Sequence, residues 1–339
     1  MKKTILAVAI PAVLLAGNVS AYEVLSTEDG SVEVFGQLRA KLEKKENTDI
    51  KLDDGSSRAG VAAQYKVTED FDVLAALEYS LADEFKNRYS YIGATGDWGK
   101  VTIGKQYLTA DDLWGVDNSY FYGGSHIVEG MVSGGKHDSS IRYTYQHDAF
   151  YVDASYALPE DDTNPEVFEL FGGFKVAGFD VTAGVSKAEQ GHGAEGAVKA
   201  GTLEDLYHTV WVERSFGDLS VGVQYAASDI DSAENNTSLD RTGYAVAGNY
   251  AVSPKSAVYG GYEISEYDVS GLLDESGDAT LVYLGAVHKF NSFFRVYGEM
   301  AYADGTTAGF TNNKNDWKVE SGSTADSEMM YAIGARVYW

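Results

Sequence analysis

Apolar and polar residues alternate along most of this chain, and that alternation constrains its fold more than any other feature. In residues 32–43, Leu38 and Leu42 lie on one face of an extended strand, and Arg39 and Lys41 lie on the other. The same period recurs at 58–67, 72–81, 141–146 and 294–302. Period 2 is typical of β-strands with one apolar and one polar face. The sequence therefore predicts an all-β fold.

Turn signals divide the chain into sixteen predicted strands. Seven short connections are predicted at Thr68–Asp70, 97–99, 148–149, 178, 216–218, 253–255 and 291–292. Eight longer polar connections are predicted at 44–56, 83–87, 108–138, 159–165, 189–202, 229–239, 270–278 and 304–325. An even number of strands is what a closed up-and-down barrel of the bacterial outer membrane requires.

Three features favour a membrane barrel over a soluble β-protein. Short turns alternate with long acidic loops, as in a barrel inserted from one side. Aromatic residues such as Tyr65, Trp98 and Phe216 lie near strand ends, as in an interfacial belt. Charged residues lie mid-strand on the polar face, where a dry core could not hold them unpaired but a water-filled lumen could. We therefore predict a transmembrane antiparallel up-and-down β-barrel, with a secreted soluble β-protein as the less favoured alternative.

The first 21 residues have the pattern of a secretory signal peptide. Met1-Lys2-Lys3 is basic, Thr4 to Gly17 is apolar, and Val19-Ser20-Ala21 is a small-residue cleavage site. We expect cleavage after residue 21 and a single barrel domain over 22–339.

Composition excludes several functional classes. Acidic residues outnumber basic ones 51 to 26, for a net charge of −25, which disfavours nucleic acid as a partner. The chain has no cysteine, and its six histidines show no metal-ligand spacing. It also lacks the G-x-S-x-G, H-E-x-x-H, P-loop and dinucleotide-binding motifs. The sequence predicts no enzyme, no cofactor and no metal site.

Residues 91–106 resemble a strand–turn–strand signature of the Gram-negative general porins, which are trimeric sixteen-stranded outer-membrane channels. The segment reads Tyr91-Ile92-Gly93-Ala94-Thr95-Gly96-Asp97-Trp98-Gly99-Lys100-Val101-Thr102-Ile103-Gly104-Lys105-Gln106. Val34-Phe35-Gly36-Gln37-Leu38-Arg39 and the aromatic end at Trp339 fit as well. The resemblance implies a homotrimer in the outer membrane, in contact with its lipids and lipopolysaccharide. It also implies passive passage of small hydrophilic solutes and ions. The chain differs from the family in the short connection 83–87, where family members have a longer loop that latches neighbouring subunits.

The resemblance further implies that the third loop, 108–138, folds into the lumen and narrows it. The acidic constriction residues are predicted to be Asp111, Asp112, Asp117 and Glu129. The alternation places four arginines on the inward face, and these are the predicted basic constriction residues: Arg39, Arg58, Arg88 and Arg142. Facing charges of opposite sign would set up a transverse field across the waist. The alternative is that the arginines pair with Glu78 or Asp72 on a solvated wall.

The acidic excess predicts a cation-preferring pore. An alternative is that the acids lie on outer loops and bind divalent cations that bridge to lipopolysaccharide phosphates. A further alternative is a solute-specific channel, for instance one for oligosaccharides. It would need lumen aromatics along which sugars slide, and the candidates are Phe35, Trp114 and Tyr259.

Overall fold

The computed structural model describes twelve stretches of the chain, which are 22–46, 48–82, 85–113, 115–124, 136–159, 165–192, 201–232, 237–271, 275–305, 308–310, 319–321 and 325–339. The predicted signal peptide, residues 1–21, lies outside these residues. So do Trp114 and Glu129.

Within the described residues, the chain forms twenty strands and one short helix. They are β1 (Tyr22–Ser26), β2 (Gly30–Lys45), β3 (Lys51–Asp53), β4 (Arg58–Lys66), β5 (Phe71–Ser80), β6 (Asn87–Gly96), β7 (Gly99–Tyr107), α1 (Thr109–Asp112), β8 (Lys136–Gln146), β9 (Phe150–Ala157), β10 (Glu166–Val176), β11 (Phe179–His192), β12 (Gly201–Phe216), β13 (Leu219–Ser232), β14 (Thr237–Ser253), β15 (Ser256–Ser270), β16 (Glu275–Lys289), β17 (Phe294–Gly305), β18 (Ala308–Phe310), β19 (Val319–Ser321) and β20 (Ala325–Tyr338).

Sixteen of these strands, β2, β4 to β17 and β20, form a closed antiparallel barrel, which confirms the predicted fold class and strand number. The barrel closes where β2 pairs with β20 over residues 37–45 and with β4 over residues 30–37. β1 pairs with β2 on the edge that β20 leaves free, with Tyr22 opposite Val34. The short β3 pairs with β2 beyond the end of β4, and β18 pairs with β19 in a separate hairpin.

The apolar face of the barrel points outward and the polar face points inward. Ile92 and Ile333 are each 67% exposed, whereas the inward Glu169 and Glu263 are 0% and 1% exposed. A soluble β-protein would have the opposite arrangement, because exposed aliphatic rows of this extent need lipid or a protein neighbour around them. The inward arrangement of polar groups that the alternation predicts is therefore confirmed.

The seven predicted short turns all lie between described strands and are confirmed, from the β4–β5 turn to the β16–β17 turn. Several predicted long loops are shorter than expected, however. β11 continues to His192 and β14 already begins at Thr237, within segments predicted as loops. Here the polarity of the alternation is reversed. Ile230 and Leu239 pack inward, while Asp229, Asp231 and Asp240 point outward. Acidic residues on the outer face made these strand ends look like loops.

Among the described residues, no helix has the length and apolarity needed to cross a membrane. The one described helix, α1, has four residues and lies inside the barrel.

Candidate functional site in the lumen

The connection after β7 enters the lumen and binds the inner wall at α1. The Thr109 hydroxyl donates a hydrogen bond to Asp153 Oδ1 over 2.9 Å, and the Thr109 amide donates to Ser155 Oγ over 3.1 Å. The Ala110 amide donates to Glu169 Oε2 over 2.9 Å. Asp153 and Ser155 lie on β9, and Glu169 lies on β10. The first turn of the connection is thus fixed to two neighbouring strands.

The middle of the connection follows the wall to β13. The Val116 amide donates to Gln224 Oε1 over 3.1 Å. The Val116 side chain is buried in a cluster with Phe171, Tyr207 and Trp211. These contacts combine one directional hydrogen bond with apolar packing, so the backbone here has a defined path along the wall.

The tip of the connection, residues 117–124, binds β15, β16 and β17. The amides of Tyr120 and Tyr122 donate to the two carboxylate oxygens of Glu299, each over 2.8 Å. The Gly124 amide donates to Glu263 Oε1 over 2.6 Å. A carboxylate accepting amide hydrogen bonds in a water-poor site makes strong, charge-assisted bonds. Residues 108–113 and 115–124, named the lumen segment below, are therefore held inside the barrel along much of its circumference.

The lumen segment also makes contacts through its own side chains. Burial of the Tyr122 phenol, with carboxylates nearby, raises its pKa well above the usual range. Tyr283 donates its hydroxyl to Asp117 Oδ1 over 2.9 Å, and Asp117 also accepts from the Ser119 amide. The predicted acid Asp117 therefore points toward β16, and Asp111 lies in α1 close to the buried Glu169.

Arg142 joins the lumen segment to the wall. Its Nε and one terminal nitrogen donate to the two carboxylate oxygens of Asp153 over 2.9 and 2.7 Å. Its other terminal nitrogen donates to Asp112 Oδ2 over 2.5 Å. The structure therefore brings together a predicted arginine and a predicted loop acid, Arg142 and Asp112, through a double ion pair.

Arg58 and Arg88 share one carboxylate. Arg88 Nε lies 2.6 Å from Glu78 Oε1, and Arg58 Nε lies 3.6 Å from Glu78 Oε2. The pairing with Glu78 that the sequence left open is therefore present for both arginines. Asp72, the other suggested partner, instead accepts a hydrogen bond from Gln64.

Arg39 belongs to a row of three arginines, and the predicted site included only Arg39 among them. Arg39 on β2 lies directly opposite Arg336 on β20, and Arg336 lies opposite Arg295 on β17. Arg295 and Arg336 also lie on the polar face of their strands in the sequence pattern. Only the strand order of the closed barrel puts them beside Arg39, because the three positions are far apart in the chain.

A cavity of about 820 Å³ lies between the lumen segment and the turn joining β14 to β15. Its lining includes Asp117, Tyr120 and Phe121 of the lumen segment, with Lys255 and Lys289 across from them. Among the described residues, no group of three or more His, Asp or Glu side chains is placed to hold a metal ion.

Two of the three aromatic residues suggested as a path for sugars are not exposed to the lumen. Phe35 and Tyr259 are only 4% and 2% exposed, and the Tyr259 hydroxyl donates to Glu299 beneath the lumen segment. Neither ring offers a face to a passing sugar. The third candidate, Trp114, lies outside the described residues.

A closed barrel with an apolar exterior, a polar interior and a connection bound inside its lumen defines an outer-membrane channel protein, a porin. The family model for Gram-negative porins matches residues 4–308, and the chain belongs to this family. It is therefore a multi-pass β-barrel of the Gram-negative outer membrane with a transport role, which displaces the secreted soluble alternative.

Known proteins agree with this assignment. The chain is 25% identical over 322 residues to porin-like protein H of Photobacterium profundum, covering 90% of this chain and 95% of that protein. Its structure is similar to that of in-vitro folded OmpT, an outer membrane protein of Vibrio cholerae. The TM-score is 0.84 and the identity 34%, over 94% of this chain and all of that one. A trimer form of OmpT matches with a TM-score of 0.82 and 34% identity, over 92% of this chain and 100% of that one.

Proposed function

We propose that this porin is a passive diffusion channel for small hydrophilic solutes and ions, with a preference for cations, and that the lumen segment forms its constriction. The contact that supports this most directly is the double ion pair of Arg142. It joins the strand wall through Asp153 to the lumen segment through Asp112. The waist then lies between the lumen segment and the wall of β2 to β8, which holds Arg39, Arg58, Arg88 and Arg142.

The charge distribution supports the cation preference. The net charge is −25, and the lumen segment carries Asp111, Asp112 and Asp117. A negative potential of this kind raises the local cation concentration at a pore mouth. The arginines at the waist reduce that preference and give the constriction its transverse field.

Acids on the outer face of the barrel suggest a lipid partner. Asp229, Asp240 and Asp268 lie on the outer face of the strands, at the end where the long connections occur. We propose that divalent cations bridge these carboxylates to lipopolysaccharide phosphates, with the lipid supplying the remaining ligands.

We further propose that residues 1–21 are removed as a signal peptide and that the mature chain assembles as a homotrimer. The trimer form of OmpT from Vibrio cholerae supports the trimer. The exposed aliphatic rows on the outer face of the barrel can pack against a neighbour as well as against lipid.

Reversal potentials test the proposal. Purified protein in a planar bilayer under a tenfold KCl gradient should give conductance steps in groups of three and a reversal potential on the cation side. Asp112→Asn should shift that potential toward anions and Arg58→Gln toward cations, because each removes one charge from the waist. Glu69→Gln, at an exposed turn glutamate, is the matched control and should leave it unchanged. Absence of conductance would overturn the channel, whereas an anion-side potential would overturn only the cation preference.

A solute-specific channel is a less favoured candidate, because two of its three aromatic residues are buried. Saturable block of the KCl current by an oligosaccharide would favour it over a general diffusion channel.

A further inference from the structure

Three arginines form a continuous row on the lumen face, across the strands where the barrel closes. Arg295 on β17, Arg336 on β20 and Arg39 on β2 are directly opposed in the strand register, and they are called the arginine row below. Leu38 and Val337, which precede or follow these arginines in the chain, are exposed on the outer face, so the arginines point inward. Like charges directly opposite one another on adjacent strands are destabilising.

The arginine row differs from the other waist arginines in its partners. Arg58 and Arg88 share Glu78, and Arg142 has two carboxylates. Within the part of the chain that the structure describes, no arginine of the row forms an ion pair. Three positive charges are therefore gathered without a described counter-charge.

The hydrogen bonds of the row go to neutral oxygens. Arg39 donates to the Gly55 carbonyl over 3.2 Å, Arg295 to the Tyr120 hydroxyl over 3.3 Å, and Arg336 to the Tyr338 hydroxyl over 3.2 Å. Each guanidinium has five N–H donors, so these bonds use only a part of the donor capacity.

Several donors at the row have no acceptor. The Nε atoms of Arg39 and Arg336 are buried without a hydrogen-bond partner, as is Nε2 of Gln37, on the same face of β2. Gln37 is 3% exposed and lies opposite Tyr338. A buried donor without an acceptor costs free energy, which an entering oxygen ligand would recover. The arginines themselves are only half-buried, so their outer ends can be reached from the lumen.

Aromatic rings hold the guanidinium groups in place. Arg336 lies over the rings of Tyr120 and Tyr297, at 5.4 and 5.3 Å from their centroids, and these two rings stack on each other at 4.2 Å. Arg295 lies 4.7 Å from the centroid of Tyr338. Guanidinium groups fixed in this way are suited to planar, two-pronged recognition of an oxyanion.

We propose that the arginine row binds the oxyanion group, phosphate or carboxylate, of a solute that passes through the lumen. The site rests on the proposed channel function and deepens it. Cations are favoured by the overall charge, while anionic solutes are held at one side of the waist by Arg39, Arg295 and Arg336.

The test measures the current through single wild-type channels in KCl at neutral pH. Inorganic phosphate is added in one arm and acetate in the other, each against added KCl of the same ionic strength. Wild type should show a saturable fall in current with oxyanion concentration. Arg336→Gln should raise the concentration at half effect about tenfold or more, because a hydrogen bond to a charged group is lost together with a positive charge. Arg336→Lys should lie in between, since an ammonium keeps the charge but lacks the fork.

Arg214→Gln is the matched control, because Arg214 lies against Phe179 and Phe216 on the outer face and should respond as wild type. Folding of each variant is checked by its heat-dependent mobility in SDS, and Arg39→Gln serves if Arg336→Gln fails to fold. Equal half-effect concentrations in wild type and the row variants would overturn the site. A wild-type channel that conducts in KCl but ignores both oxyanions would also overturn it, while leaving the channel function intact. Absence of KCl conductance would instead refute the proposed function.

Discussion

Glu299 on β17 accepts hydrogen bonds from the backbone amides of Tyr120 and Tyr122 through its two carboxylate oxygens, each over 2.8 Å. The same carboxylate accepts the Tyr259 hydroxyl over 2.9 Å. One inward carboxylate thus holds the tip of the lumen segment by two backbone bonds. Such bonds do not depend on which side chains the segment has, so this anchor fixes the path of the chain rather than the identity of its residues.

Glu299→Gln should loosen the tip of the lumen segment. The amide side chain has one acceptor oxygen in place of two and presents an N–H group to a backbone N–H. We expect a loss of about 1.5–3 kcal/mol in the free energy of unfolding and a noisier single-channel current. Urea unfolding in detergent and bilayer recordings measure the two effects. Glu69→Gln, on an exposed turn, is the control, and a quiet, fully stable Glu299→Gln channel would refute the anchoring role.

Asp153→Asn should destabilise the barrel more than loss of any surface pair. Asp153 is buried and is bound by both Arg142 and Thr109. Removing one partner of a buried pair costs about 3–5 kcal/mol, and we expect the lower end of that range because Arg142 keeps Asp112 as a second carboxylate. The exposed pair of Lys66 with Glu69 should contribute no more than about 1 kcal/mol. Urea unfolding of Asp153→Asn and Glu69→Gln gives the comparison. Equal losses of stability would show that water screens the Arg142 pair.

Asp240→Asn should stabilise the protein at neutral pH. Burial, together with Asp229, Asp231 and Asp268, raises the pKa of Asp240. A carboxyl whose pKa is raised on folding opposes folding when ionised, and this penalty disappears as the pH falls below the unfolded-state pKa. The substitution should therefore add about 0.2–1 kcal/mol at neutral pH and nothing at about pH 4 or below. Thermal unfolding at the two pH values measures this, with Asp97→Asn, in a turn, as control. A gain that is independent of pH would contradict the electrostatic explanation.

Gly36→Ala should weaken the closure of the barrel. The backbones of Gly36 and Trp339 bond to each other, with the Gly36 amide donating to the Trp339 carbonyl over 2.9 Å. A Cβ on Gly36 would overlap the Trp339 indole and approach the Arg58 carbonyl. Overpacking of this kind costs about 1–3 kcal/mol. Gly298→Ala is the control, because its Cβ would meet only ordinary contacts at 3.7 Å and beyond. The temperature at which folded mobility in SDS is lost should fall for the first variant alone.

The alternation predicts the fold well because a membrane barrel imposes one rule on its strands. Apolar side chains point toward lipid, and polar side chains point toward the lumen. The rule holds for Leu38 and Ile92 on the lipid face and for Arg142 in the lumen. It fails at Ile230 and Leu239, near the end of β13 and the start of β14, where the apolar residues point inward. There the acidic outer face looks like a loop in the sequence.

The attachment of the lumen segment could not be predicted from the chain. Glu299 lies 177 residues from Tyr122, and Glu263 lies 139 residues from Gly124. An inward glutamate looks the same in the sequence whether it faces water or accepts backbone amides. The arginine row was likewise hidden, because Arg39, Arg295 and Arg336 become neighbours only when the barrel closes.

Accessibility of single cysteines tests most directly that ions pass through the lumen beside the lumen segment. The chain has no cysteine, so an introduced thiol reacts without background. Asn118→Cys places a thiol at the lumen cavity, and Ile92→Cys places one on the lipid face. A positively charged methanethiosulfonate reagent should lower the single-channel current of Asn118→Cys and leave that of Ile92→Cys unchanged. An unchanged current in a fully labelled Asn118→Cys channel would contradict the assignment of the lumen segment to the conduction path.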